Sequence, residues 1–236
     1  MTDALPTAED QLRFLQNLQL LLDEGTFVST YKFCLLLALA DLAGEKGDVG
    51  GARLELTVRE IAEKFVGYYW RQVVHYPAIG AASGYLHFVA DGEAAIVQAV
   101  RSAREQANGS LPRARRDKAA WSNLVTSVAK TVRLTPLWRL QTDRSGVHDF
   151  LYPSGCKGTS IEMRPGVAYC LRVFHGHVQN LVQGAWARWV RRLGRNRALL
   201  GHAKDLAEFL FGSESEVHGE FVPWLTVPAI RPLLLL

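Results

Sequence analysis

Cysteine is scarce: Cys34, Cys156 and Cys170 are an odd number, and no two form a C-x-x-C pair. That argues against a disulfide framework and a thiolate zinc knuckle, and makes reduced thiols the expected state. Long apolar runs are missing too. The longest, such as residues 33–40 and 233–236, fall well short of the about 20 residues that span a bilayer, so no membrane-spanning segment is expected. The opening MTDALPTAEDQ has acidic residues where a signal peptide needs a basic start and an apolar core, and the expected location is therefore cytoplasmic. No internal repeat or long low-complexity tract occurs. What the chain does have is a large apolar fraction. At 236 residues and 48% hydrophobic content, there is enough for a packed core in one domain or two small ones.

Charge is unevenly spread. Residues 1–100 carry a net charge of −6 and the remaining 136 a net charge of +10, giving +4 in all. Between Met163 and Lys204 there is no carboxylate, while Arg164, Arg172, Arg188, Arg191, Arg192, Arg195, Arg197 and Lys204 are all basic. Such a stretch attracts a polyanion, through phosphate contacts that read no particular sequence. The alternative is a solvated helix face balanced by the acidic first half.

The pattern along the chain is mostly helical. Residues 7–10 give a start signal, and Leu12, Leu15, Leu18, Leu21 and Leu22 then recur at helical spacing as far as Gly25. Ser29 or Thr30 can cap a second helix over residues 31–43, so apolar that it belongs at the centre of the core. After a polar, Gly-rich loop and a strand-like segment at 53–56, Thr57 and Glu60 form a capping box for a helix carrying Ile61, Ala62, Phe65 and Tyr69. Helices are expected at 92–107 and 113–133, then short strands at 137–141, 150–152 and 160–163. Pro165 is placed to open a long helix, about 43 Å if unbroken to Leu193, with a bend or break expected near Gly176 or Gly184. Its buried stripe is Val167, Leu171, Phe174, Val178, Leu181, Ala185 and Trp189, and Arg188, Arg191 and Arg195 share a flank off that stripe. A last helix over 198–211 stops at Gly212. The expected fold is mainly α, a multi-helix domain with a small β element between about residues 137 and 163. The expected division is an N-terminal helical subdomain (1–108), a basic helical subdomain with the small sheet (109–213), and an irregular Pro/Leu-rich tail (214–236).

Candidates for chemistry are few. His175 and His177 would share a face on a strand but diverge on a helix, and no acidic or cysteine partner lies near them in sequence. Residues 154–160 lack the Gly-Lys-Ser/Thr ending of a phosphate-binding loop and read as a turn. Cys156 beside Lys157 has no His/Asn arrangement to activate it. Asp149 and Glu162 mimic the paired carboxylates of a magnesium site, but Arg164 stands where such nuclease sites carry a lysine. The segment 57–69 resembles the first helix of a helix-turn-helix, with Gly67 one residue late for its turn, which favours a packed hairpin.

Four segments carry a resemblance: Leu12 to Phe33 (LRFLQNLQLLLDEGTFVSTYKF), IAEKF at 61–65 with YWRQ at 69–72, RPGVAYC at 164–170, and DLAEFLFGS at 205–213. Together they resemble the N-terminal helical region of a bacterial HNH endonuclease family, over roughly residues 11–213. In that family the region precedes a C-terminal nuclease module, where a His acts as general base and another His and an Asn place a divalent metal and the substrate. None of those residues has a match here; after Ser213 stands the Pro/Leu tail, which fits a truncated or frame-shifted member. The resemblance implies no catalytic or metal-binding residue in this chain, and no cofactor beyond the divalent metal of the missing module. The expected function is that of a DNA-contacting accessory region, acting through Arg188, Arg191, Arg192, Arg195, Arg197 and Lys204. The alternative is a structural or protein-interaction domain whose apolar tail docks on a partner or a second copy.

Overall fold

In the computed structural model, which describes residues 4–25, 27–47, 49–77, 84–142, 146–155, 158–200 and 206–212, the first helix starts where its capping signal lies. Helix α1 (Ala8–Glu24) opens on a reciprocal box: Thr7 Oγ1 accepts from the Asp10 amide at 3.2 Å, and the Asp10 carboxylate accepts from the Thr7 amide at 3.1 Å. Its buried stripe is Phe14, Leu18 and Leu21, whereas Leu12 faces solvent. Helix α2 (Tyr31–Lys46) is buried at every residue from Tyr31 to Ala43. Thr30 precedes it without capping it. Its hydroxyl instead shares a 2.6 Å hydrogen bond with the Tyr69 hydroxyl.

Strand β1 (Leu54–Thr57) runs directly into α3 (Val58–Gln72), whose start is the expected box of Thr57 and Glu60. Helix α3 continues unbroken through Gly67 and buries Phe65, Tyr69 and Trp70, so the helix-turn-helix reading fails for want of a turn. Helix α4 (Ala95–Gln106) ends in the left-handed pair Asn108 and Gly109. The helix expected over 113–133 is two: α5 (Leu111–Arg116), and α6 (Lys118–Leu134), which Asp117 caps by accepting from the Ala120 amide. Helix α6 packs against both α3 and α4, and buried residues from both sides of residue 108 join one core.

Two of the expected strands are not strands. Residues 137–141 form the helical turn α7 (Pro136–Arg139) and its exit, because Pro136 at the first position presets a helical φ. Residues 150–152 pair with a side chain instead of a strand: Gln141 Oε1 accepts from the Leu151 amide at 2.6 Å, and Gln141 Nε2 donates to the Tyr152 carbonyl at 2.7 Å. The third, β2 (Ser160–Met163), is real. Its antiparallel partner is β1, with Leu54 opposite Met163 and Leu56 opposite Ile161. The small sheet thus joins segments about a hundred residues apart, and only one of its strands lies within 137–163.

The expected long helix is broken at Phe174 (φ −98°, ψ 19°) into α8 (Val167–Val173) and α9 (His175–Arg192), beside Gly176. Gly166, with φ +79°, opens α8, so Pro165 lies just outside it. In α9 the fully buried tryptophan is Trp186, and Trp189 is only partly covered. A single 3-10 turn (Gly194–Asn196) and α10 (Arg197–Leu200) follow, and α11 (Leu206–Phe211) ends at Gly212 with φ +90°. Helices α3, α7, α8 and α9 surround α2, and an aromatic cluster of Phe33, Tyr69, Phe88, Trp186 and Phe211 fills the space between them. Among the described residues, no helix is long and apolar enough to cross a membrane. The tail at 214–236 lies outside the described residues.

Three phenols sit in this core. Burial pushes Tyr31 up to about 12 and raises Tyr68 and Tyr69 well above their ordinary 10. In the unfolded chain they ionise near 10, so the unfolded state holds fewer protons than the folded state above that pH. Stability is then full below pH 10 and falls above it, by up to about 1.4 kcal/mol per pH unit for each phenol. Urea unfolding at pH 8 and pH 11 checks this: the midpoint drops at pH 11, and Tyr69→Phe reduces the drop.

Candidate nucleic-acid interface

The last turn of α9 separates two chemistries. Val182, Ala185, Trp186 and Val190 face the core, and Arg188, Arg191 and Arg192 are exposed. Cations also suit this end, where the helix dipole is negative. Leu193 then leaves the helix, and the 3-10 turn redirects the chain so that Arg195 and Arg197 are exposed as well. All five expected arginines are therefore exposed, within ten residues of chain. Lys204 lies outside the described residues.

Asn196 fixes that turn. It is fully buried, and its amide donates to the carbonyls of Val190 (2.9 Å) and His87 (3.0 Å) while its Oδ1 accepts from the His87 amide (2.7 Å). One side chain thus ties residues 84–92 to the end of α9. Arg195 adds to this by donating from Nη1 to the Gly92 carbonyl at 2.6 Å. The tie brings in groups that the sequence pattern did not single out. The Arg101 guanidinium of α4 lies 3.7 Å from the centre of the Tyr85 ring, and the His75 ring meets Tyr85 edge-on at 4.3 Å. The His87 imidazole is held below its usual pKa, first by burial and then by Arg195, with Arg101 adding to the effect and Glu93 opposing it. Arg101 and His87 are remote from α9 in sequence; the Asn196 and Arg195 bonds hold the His87 segment to the end of α9, and Arg101 joins through Tyr85.

The other candidates resolve differently. His175 does have an acidic partner, 134 positions away: its Nε2 is 3.1 Å from Asp41 Oδ1. Asp41 also accepts from the Tyr68 hydroxyl (2.8 Å) and from Gln179 Nε2 (3.4 Å), and Lys64 Nζ lies 3.9 Å away. This knot holds α2, α3 and α9 together. His177 is exposed and turned from it. Glu162 pairs with Arg53 at 3.3 Å, whereas Asp149 is taken up by the amide and hydroxyl of Ser154. The two carboxylates thus have separate partners. Among the described residues, no group of three or more His, Cys, Asp or Glu side chains is placed to hold a metal. Residues 156–157 of the expected turn lie outside the described residues.

Exposed guanidinium groups offer charge-assisted donors suited to phosphate oxygens. Residues 11–210, from α1 into α11 and including all five arginines, match the model of a family described as a domain of unknown function, DUF8808. The chain belongs to that family. No curated protein and no solved structure matches it.

If Asn196 is the tie, Asn196→Ala leaves two carbonyls and an amide without their partner and costs about 2–4 kcal/mol in urea unfolding. Hydrogen exchange localises the effect, with the His87 amide losing its protection while amides in α2 keep theirs.

Proposed function

We propose that the surface at the end of α9 contacts nucleic-acid phosphates, and that the chain is the DNA-binding accessory region of an HNH-endonuclease-like protein, not catalytic on its own and acting in the cytoplasm. The observation that carries this reading is the exposure of Arg188, Arg191, Arg192, Arg195 and Arg197 together, in a stretch with no carboxylate from Met163 to Lys204. The four resembling segments support the endonuclease context, in which a divalent metal belongs to the nuclease module and not to these helices. Phosphate contacts of this kind position a duplex without selecting its sequence.

A second reading is favoured by a different patch. Trp138 and Leu134 are 47% and 58% exposed, and Trp138 Nε1 donates to the Leu134 carbonyl, which holds the two side by side. This apolar pair on the surface suits a protein partner, as does the apolar tail.

Binding of a labelled duplex across a salt series separates the two. The nucleic-acid reading predicts affinity that falls steeply with salt and depends little on sequence. The triple variant Arg188→Glu/Arg191→Glu/Arg195→Glu largely abolishes it, flattening the slope of log K against log salt by about 2.7 or more. Binding no better than to a neutral polymer, or equal binding by the variant, rejects it and favours the protein-interaction reading.

A further inference from the structure

Three positively charged or protonatable groups come from three segments around the Asn196 clamp: Arg195 on the 3-10 turn, which reaches the Gly92 carbonyl, His87, whose backbone Asn196 holds, and Arg101 on α4, which stacks on Tyr85 two residues before His87. Resting on the nucleic-acid reading, we propose that they form a single phosphate site, in which the His87 imidazole and the Arg101 and Arg195 guanidinium groups hold one phosphate of the bound nucleic acid.

The arrangement is built rather than fortuitous. The His87 backbone is fixed at both its amide and its carbonyl by a fully buried Asn196, so the imidazole leaves a rigid point. Arg195 is braced on the Gly92 carbonyl and Arg101 on the Tyr85 ring. The Arg101 Nε is buried and, among the described residues, has no hydrogen-bond partner. Among the described residues, the carboxylate that acts on His87 is Glu93, whose side chain accepts a hydrogen bond from Gln98. Two guanidinium groups thus act on the imidazole against one carboxylate, and the net local field is positive.

That imbalance gives the site its own signature. Without a ligand, burial and the two cations keep His87 neutral to a lower pH than an ordinary histidine. A phosphate oxygen reverses the sign of the local field and favours the imidazolium, so binding takes up a proton. Affinity is full below the free-state pKa and is lost as pH rises through the higher pKa of the bound state. The arginines do not titrate in this range, nor does a phosphodiester.

The test is the dissociation constant of the full chain for a duplex with 5′-hydroxyl ends, from pH 5.5 to 8 at fixed ionic strength. The wild type is expected to weaken with rising pH, by up to about tenfold per unit within its titration window. His87→Gln is expected to bind with no such slope, and Arg101→Gln to bind severalfold more weakly. Because Asn196 grips the His87 backbone, His87→Gln keeps the clamp. The His87 ring-proton titration followed by NMR, with and without duplex, gives a second readout: the midpoint rises on binding. Repeating the series with 5′-phosphorylated ends identifies the source. Tighter binding assigns the site to a terminal phosphate, and equal binding to an internal phosphodiester. A salt-sensitive wild type with no pH slope, or the same slope in His87→Gln, overturns the site while leaving the arginine surface standing. No binding at all overturns both.

Discussion

Helix α2 has no solvent face from Tyr31 to Ala43, and a helix that must be covered on every side dictates what surrounds it. Helices α3, α8 and α9, the short α7 and strand β1 each take a part of its circumference. The two charged residues it carries into the interior need partners there. Lys32 reaches the Thr142 carbonyl at 3.1 Å, and Asp41 gathers Tyr68, His175 and Gln179. These bonds fix rotation as well as position, because an apolar helix alone could turn within its sleeve at little cost, whereas Asp41 meets α3 and α9 in one orientation only.

That orientation sets the outer surface. With His175 and Gln179 held against Asp41 and Trp186 in the aromatic cluster, the last turn of α9 presents Arg188, Arg191 and Arg192 outward. Asn196 then carries the constraint one step further, to the His87 segment. The positive surface is therefore a consequence of the core. Its charges sit on backbone that cannot shift without disturbing buried hydrogen bonds.

Much of this was legible in the chain. The capping boxes at Thr7 and Thr57 involve residues three apart, and both helices start as their signals say. The uninterrupted apolar run of α2 named the central helix, and the absence of carboxylates between Met163 and Lys204 marked the basic stretch. What was not legible depended on distant partners. The strand pattern at 53–56 gives no hint that its partner lies at 160–163, and the apolar run Phe150-Leu151-Tyr152 reads as a strand although its backbone pairs with the Gln141 side chain. His175 looked solitary because Asp41 is 134 positions away. Arg101, His87 and Asn196 carry no motif at all. Asn196 and His87 join where a 3-10 turn meets residues 84–92, a place that no periodicity marks.

The central claim is that the end of α9 and the segments tied to it by Asn196 form the surface that meets nucleic acid. Hydrogen–deuterium exchange of the full chain with and without saturating duplex DNA tests it most directly. The account predicts added protection concentrated in residues 84–101 and 188–197, with α1 and the region around Trp138 unchanged. Protection confined to residues 133–139, or none anywhere despite measured binding to the described helices, would contradict it.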